Sequence, residues 1–252
     1  MTEQVYIVTG ASRGLGAAIV EQLLAPGSVV LCIARRNNAE LAQRATSRGA
    51  RVEQWDVDLV EPLPVAGRLQ AWLEGLTPTA IGAATLINNA AQLTRVGPVD
   101  ACDDAELSTS LRVSLEAPIL LTAAFLRATR DWTAPRKVLN ISSGLGRRAM
   151  AGTAPYCAAK AGMDHYSRAV ALDEATRPHG ARIVSLAPGV IDTDMQVQLR
   201  GADPRGFPDQ STFVGLKAAG QLTSAGDAAA RVLAYLDRPD FGSNPVADVR
   251  DA

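Results

Sequence analysis

Lysine is scarce in this sequence. Of the 25 Lys and Arg residues in the 252-residue chain, only Lys137, Lys160 and Lys217 are lysine. Histidine is scarcer still: His165 and His179 stand alone, and neither falls in a metal-ligand spacing. Three widely spaced cysteines, Cys32, Cys102 and Cys157, form no CxxC pattern and are odd in number, so neither a zinc site nor a disulfide framework is indicated. Aromatic residues make up 4% of the chain, and Trp55, Trp72 and Trp132 are scattered, which leaves no aromatic platform for stacking. A net charge of -1 gives no electrostatic reason to expect nucleic acid or an anionic membrane as partner. No window approaches eighteen uninterrupted apolar residues, so no membrane span is expected. The first residues, MTEQVYIVTG, carry Glu3 and turn directly into a strand-like run, without the basic start of a secretory signal. A reduced, cytoplasmic setting fits these absences.

Present instead is a regular alternation. Apolar runs of strand length (QVYIVTG, SVVLCIA, RVEQWDVDL, TLINNA, KVLNIS, ARIVSLAPG and PVADVR) are separated by segments of helical periodicity. One long helical stretch runs from about 103 to 130, with Pro118 expected to kink it or to mark a break. A final helix is expected over 224–236. Strands nearly continuous in Val, Ile and Leu imply burial on both faces, hence a parallel sheet covered by helices. Six or seven such units with no break in composition predict one doubly wound α/β domain over 1–252. Only 195–218 reads as long and irregular, and its place after a strand's C-terminal end suggests a substrate-covering loop.

Between the first strand and first helix lies TGASRGLG. Gly10, Gly14 and Gly16 permit a tight turn and let the backbone at Ser12, Arg13 and Leu15 approach a pyrophosphate resting on the helix's N-terminal amides. The second strand ends Ala34-Arg35-Arg36, where an NAD site usually carries an acid. A guanidinium binds a ribose 2′-phosphate through forked, charge-assisted bonds, and Arg13 would approach from the other side, so the expected cofactor is NADP(H). Asp58 and Leu59 at the third strand's end would edge the adenine. Asn88, Asn89 and Ala90, at the fourth, would lie against the adenosine and hold neighbouring loops.

The fifth strand ends Asn140-Ile141-Ser142-Ser143, and Tyr156 and Lys160 follow four residues apart. Helical positions i and i+4 share a face, so phenol and ammonium can converge. A nearby ammonium favours the phenolate and would lower a tyrosine pKa from its ordinary ~10 toward a range useful for proton transfer. Arg147, Arg148 and Met150 lie between Ser143 and Tyr156, which points to an aliphatic pocket edged by arginine.

Together TGASRGLG, NNAA, NISS, YCAAK and the APG of Ala187 to Gly189 resemble the short-chain dehydrogenase/reductase family along essentially the whole chain. The resemblance implies a Rossmann fold in strand order 3-2-1-4-5-6-7 and metal-free hydride transfer between nicotinamide and a carbonyl or alcohol carbon. It implies that Ser143 bonds the substrate oxygen, Tyr156 donates the proton, and Lys160 binds the nicotinamide ribose while tuning Tyr156. Pro188, Gly189, Ile191 and Thr193 would hold the nicotinamide end. Within the family the chain looks like sepiapterin reductases and bacterial benzil reductases, through VLNISS, PYCAAKAGMD, LAPGVIDTDMQ and PVADVRD. Asp248 stands where sepiapterin reductases carry a pterin-reading Asp, and its alternative is a partner for Arg250. One departure matters: Ser114 replaces the Asn that normally completes the proton relay. The expected activity is NADPH-dependent reduction of a ketone or α-dicarbonyl. Alternatives are a 3-oxoacyl-thioester or sugar/steroid-type reductase, or an NADP(H)-binding protein without turnover. A small-molecule carbonyl is the expected partner, and the resemblance implies a homodimer or homotetramer assembled through the helices carrying Ser114 and Tyr156.

Overall fold

A computed structural model describes residues 2–251. Among the described residues seven strands form one parallel sheet: β1 (Glu3–Thr9), β2 (Ser28–Ala34), β3 (Arg51–Asp56), β4 (Ile81–Asn88), β5 (Arg136–Ile141), β6 (Arg182–Ala187) and β7 (Val246–Asp248). Their order is β3-β2-β1-β4-β5-β6-β7, the arrangement the resemblance implied. β2, SVVLCIA, is buried at every position, as a strand covered on both faces must be.

Helices α1 (Gly14–Leu23), α2 (Ala39–Ser47), α3 (Pro62–Glu74), α4 (Asp104–Leu111), α5 (Ala117–Ala128), α6 (Ala154–Ala175), α7 (Asp194–Arg200), α8 (Gln210–Ala218) and α9 (Ala225–Leu236) complete the chain. One apolar cluster unites Ile19 and Val20 of α1 with Ala228 and Val232 of α9 beneath Val30 and Val184 of the sheet. The other joins Leu69 and Leu73 of α3, Leu121 and Phe125 of α5, and Leu31 and Leu86. Strand order reverses direction between β1 and β4, and a crevice opens there at the strands' C-terminal ends.

The run from Asp104 to Ala128 is long and apolar enough to cross a membrane, but it packs here against α3 and α6. It is one helix with a wider, π-helical turn over Arg112–Glu116. Pro118 follows that turn inside the continuous helix, so the proline accompanies the irregularity and does not kink a regular helix. The 195–218 segment differs from its sequence reading. It holds α7 and α8, and only the Gly/Pro-rich link between them (GADPRGFPD) is irregular. Gly201, Pro204, Gly206 and Pro208 interrupt the helical pattern and hid both helices.

Candidate active site

A cleft of about 990 Å³ runs along the C-terminal edge of the sheet, from the turn after β1 to the start of α6. At its first end, Gly10 and Gly14 take positive φ, +67° and +55°, conformations that a side chain would strain. Gly16 packs behind the turn: a Cβ there would lie 2.2 Å from the Gly10 carbonyl oxygen and 2.6 Å from Asn89 Nδ2. Gly16 therefore shapes the turn without lining the cleft, whereas Gly10, Ser12, Arg13, Gly14 and Leu15 do line it. Asn89 clamps the turn from β4, its Nδ2 donating to Thr9 O at 2.9 Å. α1 begins without a side-chain cap, so its first amides have no intrahelical or capping acceptor, and Gly14 and Leu15 of its first turn line the cleft. A dinucleotide's pyrophosphate fits this cradle.

Arg35 lines the cleft beyond β2, and Arg36 does not. Arg13 pairs with Asp194, the first residue of α7, across the cleft mouth. Asp58, Leu59 and Ala90 line the cleft, while Asn88 turns away from it. Asn88 Nδ2 instead donates to Thr122 Oγ1 at 3.2 Å and to Asn140 Oδ1 at 2.8 Å, joining β4 to β5 and α5.

At the other end stand Ser143, Tyr156 and Lys160, with Pro188, Gly189, Ile191 and Thr193 on the opposite wall. Ser143 and Tyr156 line this end together, and the Ser143 hydroxyl accepts from the Leu145 amide at 3.1 Å. Lys160 Nζ lies 5.6 Å from the Tyr156 ring centre and donates to Ile141 O at 2.7 Å. Tyr156 is 6% exposed and Lys160 1%. Burial pushes the Tyr156 phenol up to about 12, only partly offset by Ser143. It pulls Lys160 down to about 8 against the raising influence of Asp164. The sequence-based expectation of a lowered tyrosine pKa is thus reversed: loss of water dominates, and the phenol is held protonated.

Two other residues sit differently from expectation. Ser114 is fully buried and does not line the cleft; its hydroxyl bonds the backbone of Gln92. Asp248 is also outside the cleft lining, gripped by Arg250 Nε at 2.8 Å and Arg250 Nη2 at 2.6 Å, with Arg147 Nη1 at 3.8 Å. Its alternative as a partner for Arg250 is the arrangement found.

Over Tyr156 lies a third apolar cluster of Leu93, Met150, Leu199, Phe207 and Phe213. Leu199 comes from α7 and Phe213 from α8, so the 195–218 segment packs across the end of the cleft that holds Tyr156. Sequence reasoning also missed Gln92, Glu106 and Arg250 in the lining. Gln92 and Glu106 belong to no short motif, and Arg250, though within PVADVRD, reaches the cleft only through the topology.

The geometry has counterparts. Residues 4–203 match the family described as short chain dehydrogenase. A benzil reductase ((S)-benzoin forming) of Bacillus cereus is 32% identical over 95% of this chain and 96% of its own. A sepiapterin reductase of Meriones unguiculatus is 34% identical over 98% of this chain and 96% of its own. A crystal structure of an Agrobacterium tumefaciens protein with bound NADP superposes at a TM-score of 0.78, with 25% identity over 99% of this chain and 95% of that one.

Proposed function

The chain belongs to the short-chain dehydrogenase family of oxidoreductases, and we propose that within it this protein is an NADPH-dependent reductase of ketones or α-dicarbonyls. One observation carries the reading. A buried, protonated Tyr156 stands beside Ser143 and Lys160 at the end of a cleft whose other end is an uncapped helix start edged by Arg13 and Arg35.

When bound, the dinucleotide supplies the hydride. Gly10 and Gly14 keep the backbone low enough for its phosphates to meet the α1 amides, and Asn89 holds that turn in shape. Arg35 and Arg13 present guanidinium groups to a ribose 2′-phosphate, the group that distinguishes NADPH from NADH. Pro188, Gly189, Ile191 and Thr193 form the wall for the nicotinamide end.

Ser143 donates a hydrogen bond to the substrate carbonyl oxygen and sets its distance from Tyr156. The Tyr156 phenol, protonated well above neutral pH, gives its proton to that oxygen as negative charge develops there. Lys160 stabilises the phenolate left behind, and water returns the proton. Leu199, Phe213 and Met150 cover this end and restrict water to that exchange.

For the substrate, similarity to benzil reductases and the state of Asp248 point the same way. Asp248 is engaged by two arginines, so a pterin amino edge would have to displace them. An apolar α-dicarbonyl needs no such displacement. Loss of absorbance at 340 nm when benzil is added to the protein and NADPH tests the reading. Silence across aromatic diketones, aliphatic ketones and 3-oxoacyl thioesters would favour a cofactor-binding protein without turnover.

A further inference from the structure

Asp164 is a carboxylate to which the reaction above assigns no part, yet it is only 2% exposed, in the wall behind the site. It follows Lys160 by four residues on α6, so both side chains leave the helix on one face. Its Oδ1 accepts from the hydroxyls of Ser142, beside Ser143, and of Ser185 on β6, each at 2.6 Å. Its Oδ2 accepts from Arg147 Nε at 3.2 Å. Gly146 closes over the pair: a Cβ there would meet Asp164 Oδ2 and the Lys160 carbonyl oxygen, both at 2.9 Å. Arg147 extends the chain outward, donating to Ala247 O at 2.7 Å and facing Asp248 at 3.8 Å. Asp248 in turn holds Arg250 at the rim of the cleft. Charge therefore alternates outward from Asp164 through Arg147 and Asp248 to Arg250, while Lys160, on the same face of α6, donates to Ile141 O, one residue before Ser142.

Holding Ser142 in place does not need a charge, since a neutral acceptor would do it. A buried carboxylate is costly unless it is paired. Arg147 pairs with it from the half-exposed side, and the fully buried cation on the same helix face is Lys160, which has lost nearly all contact with water.

We propose that Asp164 is a positioning residue: it supplies the counter-charge that keeps buried Lys160 an ammonium, and it bolts the Ser142–Arg147 loop, with Ser143 on it, against α6. The part played in turnover rests on the reductase reading; the charge relationship does not. The groups facing this pair are Tyr156 on α6, Ser142 and Arg147 after β5, Ser185 on β6, and, beyond Arg147, Asp248 and Arg250. Arg147 draws on the same carboxylate, so its removal releases negative charge toward Lys160. The two substitutions Asp164→Asn and Arg147→Gln must therefore act in opposite directions.

The scarcity of lysine makes the test direct. Protein labelled with ¹³C at lysine Cε gives signals from three lysines only, and Lys160→Arg identifies the one of interest by its loss. Titration by NMR is expected to place the Lys160 midpoint near about 8 in the unsubstituted protein. Asp164→Asn should lower it by roughly one pH unit or more, and Arg147→Gln should raise it. The alkaline limb of kcat with benzil should move with each midpoint. An unchanged midpoint in Asp164→Asn, or a uniform loss of rate with a fixed limb, overturns the proposal by making Asp164 a scaffold only. If Asp164→Asn does not fold, Arg147→Gln decides: an upward shift supports the proposal and no shift overturns it. The titration needs no turnover, so failure of the proposed reaction and failure of this inference are separately visible.

Discussion

Ser114 Oγ accepts from the Gln92 backbone nitrogen at 3.0 Å and donates to the Gln92 carbonyl at 3.3 Å. Ser110 Oγ, one turn earlier, donates to the same carbonyl at 2.9 Å. These bonds tie the π-helical turn Arg112–Glu116 to the segment leaving β4, and Gln92 itself lines the cleft. Ser114 thus touches the site through the backbone of its neighbour. Ser114→Ala leaves the Gln92 amide without its partner and should cost about 1–3 kcal/mol. For a chain of this size that lowers Tm by roughly 2–12 °C, read by calorimetry. Ser114→Asn restores a donor and an acceptor and should leave NADPH affinity unchanged with a modest change in kcat. Complete loss of turnover in that variant would contradict a purely tying role.

Cofactor choice should follow Arg35. Arg35→Ala is expected to weaken NADPH binding roughly 10- to 100-fold while leaving NADH unaffected, the loss of one charge-assisted contact. Asp194→Asn should do the opposite on a smaller scale, because Asp194 holds Arg13 in an ion pair that a phosphate must replace. Fluorescence titration of both nucleotides against both variants reads these effects. Arg36, outside the cleft lining, should be neutral to substitution.

The contrast between Arg35 and Arg36 shows what was legible in the sequence. The βα alternation, the glycine turn and the Tyr156–Lys160 spacing are carried by local pattern, while the strand order and the part of Ser143 came from the family resemblance. What escaped depends on distant contacts. Asp248 offered two readings, a pterin contact or a partner for Arg250, and only the fold, which also brings up Arg147, decides between them. The direction of the Tyr156 shift depends on the cover of Met150, Leu199 and Phe213, residues from three segments. Asp164 did leave a sequence signal, an acid four residues after Lys160, but its meaning needs Ser142, Ser185 and Arg147 around it. α7 and α8 were hidden by the glycines and prolines that connect them.

Gly16 has no room for a methyl group, since a Cβ would sit 2.2 Å from the Gly10 carbonyl oxygen. Gly16→Ala must push the turn off α1. It should cost about 1–3 kcal/mol in stability and abolish saturable NADPH binding at concentrations that saturate the unsubstituted protein. Normal binding by the variant would mean that the turn can relax without losing the phosphate cradle.

Arg250 guards Asp248 with two hydrogen bonds. Arg250→Ala exposes the carboxylate to the cleft while Arg147 still faces it. The ratio of kcat/KM for sepiapterin to that for benzil should rise several-fold in this variant. An unchanged ratio would mean that Asp248 does not reach the substrate even when released.

The most direct test of the central claim replaces the phenol alone. Tyr156→Phe keeps the ring, its burial and its contact with Lys160, and removes only the proton to be donated. With benzil and NADPH at 340 nm, kcat/KM should fall at least roughly 100-fold, while the NADPH dissociation constant stays unchanged. Turnover by Tyr156→Phe within a few-fold of the unsubstituted protein would contradict Tyr156 as the proton donor and the mechanism built on it.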